Sequence, residues 1–411
     1  MIGAYLVDRR PLRIPAFRRL WTGSVVSAVG GSFSLVAVPT QLFTLTGSSA
    51  TVGISATVSL CVLVASALWS GALADAMDRR LLLLAGNAAL GLTYLGLWLN
   101  TALGLASVPL LLALVALQGL GYGITMTTMG AAVPRVVPPE QLVAANSLSS
   151  LTRYAGAVLG PLLAGILIPA IGLGPLYLLD SLALLVVLWA VAGLPPLPPT
   201  GAPAIGGTLR RLGDGFGYLA RQRVLVAVLA VDLAAMVFAM PVALYPELAE
   251  RSFGGPPGGG TQLGLLYAAY PAGVFAAGLL SGAYSRRSRH GALMASAAMA
   301  WGCCVVALAL APRLRFALVA LLCGGAVNFA LSTFRNAISQ AYTQDAMRGR
   351  IQGSLTVVLI GGPQLANLLH GFAGAAFGTR WTIGVGGALT VVTVVALVRA
   401  VPELWRYEAA G

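Results

Sequence analysis

The sequence predicts an all-α membrane protein, with twelve transmembrane helices arranged as two pseudo-symmetric bundles of six. Three observations predict it: the composition, the length of the apolar runs, and a repeat between the two halves. Of 411 residues, 58% are hydrophobic and 9% charged, and mean hydropathy is +0.87. Soluble domains carry about 25% charged residues, so this chain cannot cover a water-facing surface. That excludes a soluble enzyme, a nucleic-acid binder and a disordered tail. A spanning helix needs about 20 mostly apolar residues to cross ~30 Å of hydrocarbon. Only helices or closed barrels satisfy their backbone there, and these runs are too long and uniform for barrel strands.

Spans are expected near 20–44, 52–75, 80–102, 107–131, 141–168 and 173–194, then near 223–247, 262–284, 290–311, 316–338, 350–376 and 382–401. Ahead of span one, residues 1–19 hold five Arg and no apolar core, so no cleavable signal peptide is expected. Span two ends in Gly71-Ala-Leu-Ala-Asp75-Ala-Met-Asp78-Arg79-Arg80. Span five carries Gly156 and Gly160 at four-residue spacing, a flat face for a partner helix, and Pro161, which permits a bend. Between spans six and seven, residues 195–222 are Pro-rich and then basic, the pattern of a cytoplasmic linker. It divides the chain into bundles 1–194 and 223–411. Gly282-Ala-Tyr-Ser-Arg286-Arg-Ser-Arg289-His290 ends span eight 211 positions after the matching string of span two, and Asn146-Ser147-Leu148 recurs as Gly353-Ser354-Leu355 after 207 positions. Nearly equal offsets support a duplicated bundle.

The charge balance of +13 comes from 25 basic residues, all Arg. With both termini inside, the cytoplasmic segments hold nineteen Arg and the outer loops four, Arg251, Arg313, Arg315 and Arg380. This positive-inside bias fits a multi-pass protein of the cytoplasmic (inner) membrane. It also explains the basic pI without nucleic acid. Cys61, Cys303, Cys304 and Cys323 lie in apolar runs and read as small buried hydrophobes. With two His in the chain, no metal site is expected, and nothing calls for a cofactor.

The Asp75 and Arg79-Arg80 string resembles the signature between helices two and three of the major facilitator superfamily, although Asp78 stands where many members have Gly. Gly156-xxx-Gly160-Pro161 resembles the helix-five antiporter motif of its drug–proton exporters. Ala37-Val-Pro39-Thr-Gln41, Leu244-Tyr245-Pro246, Gly264-Leu-Leu-Tyr267 and Met347-Arg-Gly349-Arg350 are most similar to the enterobactin exporter branch. The resemblance implies two bundles alternating between inward-open and outward-open states, driven by proton entry, and exporting siderophores or related amphipathic metabolites. A broad multidrug antiporter is the alternative. No enzyme chemistry is implied, and a monomer working on a small molecule is expected. Gly71, Asp75, Arg79, Arg80, Gly156, Gly160 and Pro161 are then gating residues, Asp75 accepting bonds from a neighbouring helix and the Arg pair bridging to carboxylates. Many drug exporters carry an Arg in span four where this chain has Val115, so their proton relay does not transfer.

Embedded charges are the remaining signal, since each costs at least ~2.5–3.5 kcal/mol at mid-bilayer unless it faces a cavity or a partner. Asp232 in span seven is the deepest acid and has no charged neighbour on its own helix, so it leads as the proton-coupling residue. Asp180 in span six is second. For either, a fixed ion pair or a helix–helix hydrogen bond is the competing reading. Arg153 in span five could bind an anionic substrate or hold a counter-acid, and Arg335 lies towards the inner end of span ten. Gln41, Gln118, Tyr122, Tyr154, Phe238, Tyr267, Tyr270 and Asn328 are candidates for a mixed aromatic and amide cavity wall, together with Arg153, Asp232 and Arg335.

Overall fold

The computed structural model describes residues 9–198, 213, 217, 220–280, 289–342 and 348–408; at some helical positions, including Gly71, Asp75 and 348–357, only the backbone is described. The helices are α1 (Pro15–Gly30), α2 (Phe33–Thr46), α3 (Ser49–Ala76), α4 (Arg79–Ala102), α5 (Val108–Val136), α6 (Leu142–Ile171) and α7 (Leu173–Ala192), then α8 (Arg223–Ala239), α9 (Thr261–Leu279), α10 (His290–Leu310), α11 (Leu314–Ala341), α12 (Arg348–Phe377) and α13 (Thr379–Ala400). Among the described residues, eleven stretches are long and apolar enough to cross a membrane. The twelfth expected span, 350–376, coincides with the 30-residue α12.

Spans one and seven are interrupted. Span one is two helices, α1 and α2, separated at Gly31 and Ser32. A Gly-Gly-Ser run is a common site of sharp kinks. Span seven stops as α-helix at Ala239 and resumes after Met240 and Pro241 as short turns over Val242–Leu244, Tyr245–Glu247 and Leu248–Ser252. Pro241 has no N–H with which to continue the ladder.

The helices gather into two compact units, one of residues 1–45, 58–205 and 258–264, the other of 46–57, 206–257 and 265–411. In the first, α4 packs on α5 and α7, and α1 packs on α6 and α7. In the second, α10 packs on α11 and α13, and α8 packs on α12 and α13. The second scheme repeats the first helix for helix, which gives the weak sequence repeat a three-dimensional counterpart.

Large apolar side chains point outward, among them Trp69, Leu92, Trp189, Leu310 and Phe377. In water such a surface would aggregate; against acyl chains it is the required one. The same reasoning corrects the expectation for the thiols. Cys61, Cys303 and Cys323 are exposed and Cys304 is half-buried, because an apolar run in a membrane turns part of its circumference to lipid instead of to a core.

Candidate functional site

In the first unit, the break in span one leaves the N-terminus of α2 in the middle of an apolar span with orphan N–H groups. Asp180, on α7 and 0% exposed, answers them. Its Oδ2 accepts the backbone N–H of Ser34 at 2.7 Å and also the Ser34 hydroxyl. A carboxylate at a helix N-terminus is favoured by hydrogen bonding and by the helix dipole together. One turn away on α7, the Tyr177 hydroxyl donates to Gln41 Oε1 at 2.8 Å, and Gln41 Nε2 donates to Thr101 Oγ1 at 3.1 Å. Gln41, expected on a cavity wall, is therefore tied inside the bundle. Tyr94 and Tyr122 share a hydroxyl–hydroxyl bond of 3.0 Å, and Gln118 lies 3.5 Å from the Tyr94 hydroxyl. Of this group Tyr122 is the one with substantial exposure.

Arg153 is exposed, and its guanidinium lies 5.4 Å from the Tyr154 ring centre. Helical spacing identifies what that exposure faces. Asn146, Ser149 and Arg153, at i, i+3 and i+7, are all exposed and form one stripe of α6. The exposed Leu151, Leu159, Leu163 and Ile166 form another, centred roughly 130° around the helix at 100° per residue. α6 thus has two exposed faces, one apolar and suited to lipid, the other polar and suited to water.

Gly156 and Gly160 lie where α6 crosses α1. Cβ atoms there would run into the carbonyl of Ala28 and the side chain of Ser32, while Gly165 meets Gly264 Cα with only 2.6 Å for a Cβ. Gly156→Leu is expected to lower stability by about 1–3 kcal/mol through overpacking, read as the unfolding midpoint of the purified protein. A midpoint equal to wild type would mean that the crossing has slack.

At the cytoplasmic end of this unit, Arg80 donates to the Ala192 carbonyl, Arg19 to that of Gly193, and Arg135 to that of Pro198 at 3.2 Å. Arg80 thus finds the negative end of α7 where a carboxylate was expected. The side chains of Gly71 and Asp75 lie outside the described residues. Asp78, immediately before α4, caps that helix: its Oδ1 accepts Arg80 N at 2.8 Å and Leu197 N at 3.1 Å. Sequence reasoning passed over Asp78 as a family departure, yet Asp immediately before a helix is a strong N-cap signal.

The second unit pairs the two remaining embedded charges. Asp232 on α8 is 1% exposed and Arg335 on α11 is 6% exposed. Arg335 Nη1 lies 2.9 Å from both Asp232 oxygens, and Arg335 Nη2 and Nε lie 3.1 and 3.2 Å from Asn336 Oδ1. Asp232 is isolated on its own helix and paired across the bundle. Nearby, Tyr270 donates to Asn328 Oδ1 at 2.9 Å, and Tyr267 is buried with its ring edge-on to Tyr245 at 5.2 Å. Phe238 is half-buried at the end of α8. A further acid that sequence reasoning did not single out, Glu247, accepts from Ser49 Oγ at 2.5 Å and from Arg251 Nη1 at 2.7 Å. Of the four embedded charges, then, Asp180, Asp232 and Arg335 are held by packed protein and Arg153 is open.

With this geometry in hand, comparison with known proteins is specific. Residues 8–409 match the transmembrane secretion effector family of the major facilitator superfamily. An enterobactin exporter of Shigella flexneri is 28% identical, with 96% of this chain and 93% of that protein aligned. The enterobactin exporter of Escherichia coli O139:H28 is 29% identical over 96% and 94% of the two chains. A solved bacterial homologue of the iron transporter ferroportin, in an inward-facing state, superposes with a TM-score of 0.71 at 16% identity, covering 94% of this chain and 98% of its own. The fold is that of a multi-pass transporter, and the relatives are transporters, not enzymes.

Proposed function

The chain belongs to the transmembrane secretion effector family, and we propose that it is a proton-coupled secondary exporter of siderophores or related amphipathic metabolites. Export proceeds by alternating access of bundles 1–194 and 223–411, joined by the 195–222 linker, in a monomer of the inner membrane with both termini cytoplasmic. The aligned enterobactin exporters support the substrate class.

One observation carries the reading: Arg153 sits exposed on the polar face of α6, turned away from the lipid-facing stripe. A cation at mid-membrane depth is tolerable where water or an anion reaches it. A catecholate offers both what Arg153 and Tyr154 can hold, phenolic oxygens for the guanidinium and aromatic rings for stacking. Asn146 and Ser149 add polar contacts along the same stripe.

Energy enters through the other unit. Asp232 takes up a proton when Arg335 is drawn away from it, and gives it up when the pair re-forms, so proton movement and helix movement are one event. Asp180 is the second acid able to take part, through its hold on α2. Gly71, Asp75, Arg79, Arg80, Gly156, Gly160 and Pro161 serve the rearrangement: the glycines and proline by allowing close sliding contact, the charged string by gating the cytoplasmic end.

The test uses inverted vesicles under an acid-inside pH gradient, offered a catecholate siderophore or a panel of cationic dyes and macrolides. Siderophore accumulation is expected; accumulation of dyes and macrolides alone would instead identify a broad drug exporter. Arg153→Ala should reduce siderophore flux about tenfold or more, since a charge-assisted hydrogen bond contributes about 1.5–3 kcal/mol, with the amount of folded protein unchanged. Reduced folded protein with normal flux per molecule would make Arg153 a packing residue.

A further inference from the structure

We propose that His370 is a proton-binding site whose occupancy sets the hold on the broken end of span seven. It rests on the proton-driven reading above, but its residue and geometry are independent of Asp232.

α8 ends at Ala239, so its final carbonyls have no partner along the helix. Pro241 offers no N–H to answer them. In lipid an unanswered carbonyl is expensive, and a neighbouring helix answers that of Phe238: His370 Nε2 of α12 lies 3.1 Å from it. One turn further back, where the helical ladder is still intact, Trp301 Nε1 of α10 and Thr390 Oγ1 of α13 lie 3.0 and 3.3 Å from the Ala235 and Ala234 carbonyls.

His370 differs from the other two because its second nitrogen is also engaged. Nδ1 lies 2.9 Å from the Ala366 carbonyl, one turn back on α12. Both ring nitrogens therefore face oxygens that can only accept. A neutral imidazole has one N–H and one bare nitrogen. It can answer one carbonyl and must turn a lone pair on the other. The imidazolium answers both, and its charge sits at the negative end of α8. Losing one proton leaves one of the two carbonyls, Phe238 or Ala366, facing a lone pair and turns any surviving bond to Phe238 from charge-assisted to neutral, so it weakens the hold on the helix that carries Asp232 six residues earlier.

No charged side chain touches the ring among the described residues. It is 4% exposed and forms part of the wall of a cavity of about 650 Å³ lined also by Phe238, Phe377, Trp381, Thr382 and Gly386. The charged residues of the packed helices are Arg223 and Asp232 on α8, Arg348 and Arg350 on α12, and Arg380 and Arg399 on α13. The proton is thus answered locally by carbonyl oxygens, with no fixed counter-ion at the ring.

The chain has only two histidines, His290 and His370, which makes the test direct. Full-length His290→Gln protein, labelled with ¹⁵N-histidine and held in lipid nanodiscs, reports His370 alone. Between about pH 5 and pH 8, the range in which histidine switches, the ring is expected to pass from two N–H groups to one. A ring that keeps one protonation state across that range overturns the proposal. In flux assays, His370→Gln retains one amide donor for Phe238; it should still carry substrate down its own gradient, with a pH profile shifted from that of the wild type by the loss of the histidine's own titration. A wild-type pH profile in this variant also overturns the proposal. If the variant fails to fold, or if wild-type flux proves independent of protons, the titration alone decides, so failure here and failure of the proton-driven reading are told apart.

Discussion

Arg335→Met should destabilise the protein by about 3–5 kcal/mol, the usual consequence of leaving a buried charge without its partner. Asp232 is 1% exposed, and Arg335 Nη1 reaches both of its oxygens at 2.9 Å. Removing the guanidinium leaves a carboxylate in low-dielectric surroundings with nothing to repay its desolvation. Adding Asp232→Asn in the same chain removes the stranded charge, so the double variant should recover most of the loss. The readout is the unfolding midpoint of each protein in one detergent. A double variant no more stable than Arg335→Met would mean that the pair's value lies in packing and not in charge.

Asp180→Ala is the second large effect. It strips the acceptor from two donors at once, the backbone N–H and the hydroxyl of Ser34. Each buried donor left unpaired costs about 1–3 kcal/mol, and the helix dipole of α2 loses its counter-charge. Asp180→Asn keeps one acceptor oxygen and should lose clearly less. Protection of the α2 amides against hydrogen exchange should fall first at the Ser34 end. If Asp180→Ala stayed within about 0.5 kcal/mol of wild type, as ordinary surface changes do, the cap would carry no weight.

Much of the architecture was legible because it depends on local quantities. Span length, Arg asymmetry and the pairing of Gly156 with Gly160 are set within a few dozen residues, and the bilayer imposes them. The interruptions were written in Gly30-Gly31-Ser32 and Met240-Pro241, but an apolar run of the right length hid them. What could not be read was choice of partner. Asp232 and Arg335 are 103 positions apart, and Asp180 and Ser34 are 146 apart. Each needs a partner, but only helix order and register select which one. The sequence did not distinguish the buried Gln41 and Tyr267 from the exposed Tyr122 and Arg153 for the same reason. Polar residues on an apolar helix serve networks and open faces alike, and residue type does not distinguish them. Asp78 is the contrary case, a local cap that its position alone could have announced.

In the proposed function a buried, paired carboxylate ties proton movement to export. Asp232→Asn in proteoliposomes tests it most directly. Siderophore exchange at equal pH on both sides should persist, because binding and the rocking of the bundles do not need the charge. Accumulation driven by an imposed pH gradient should be lost. Uphill accumulation at the wild-type level by this variant would contradict the claim and place the coupling elsewhere in the molecule.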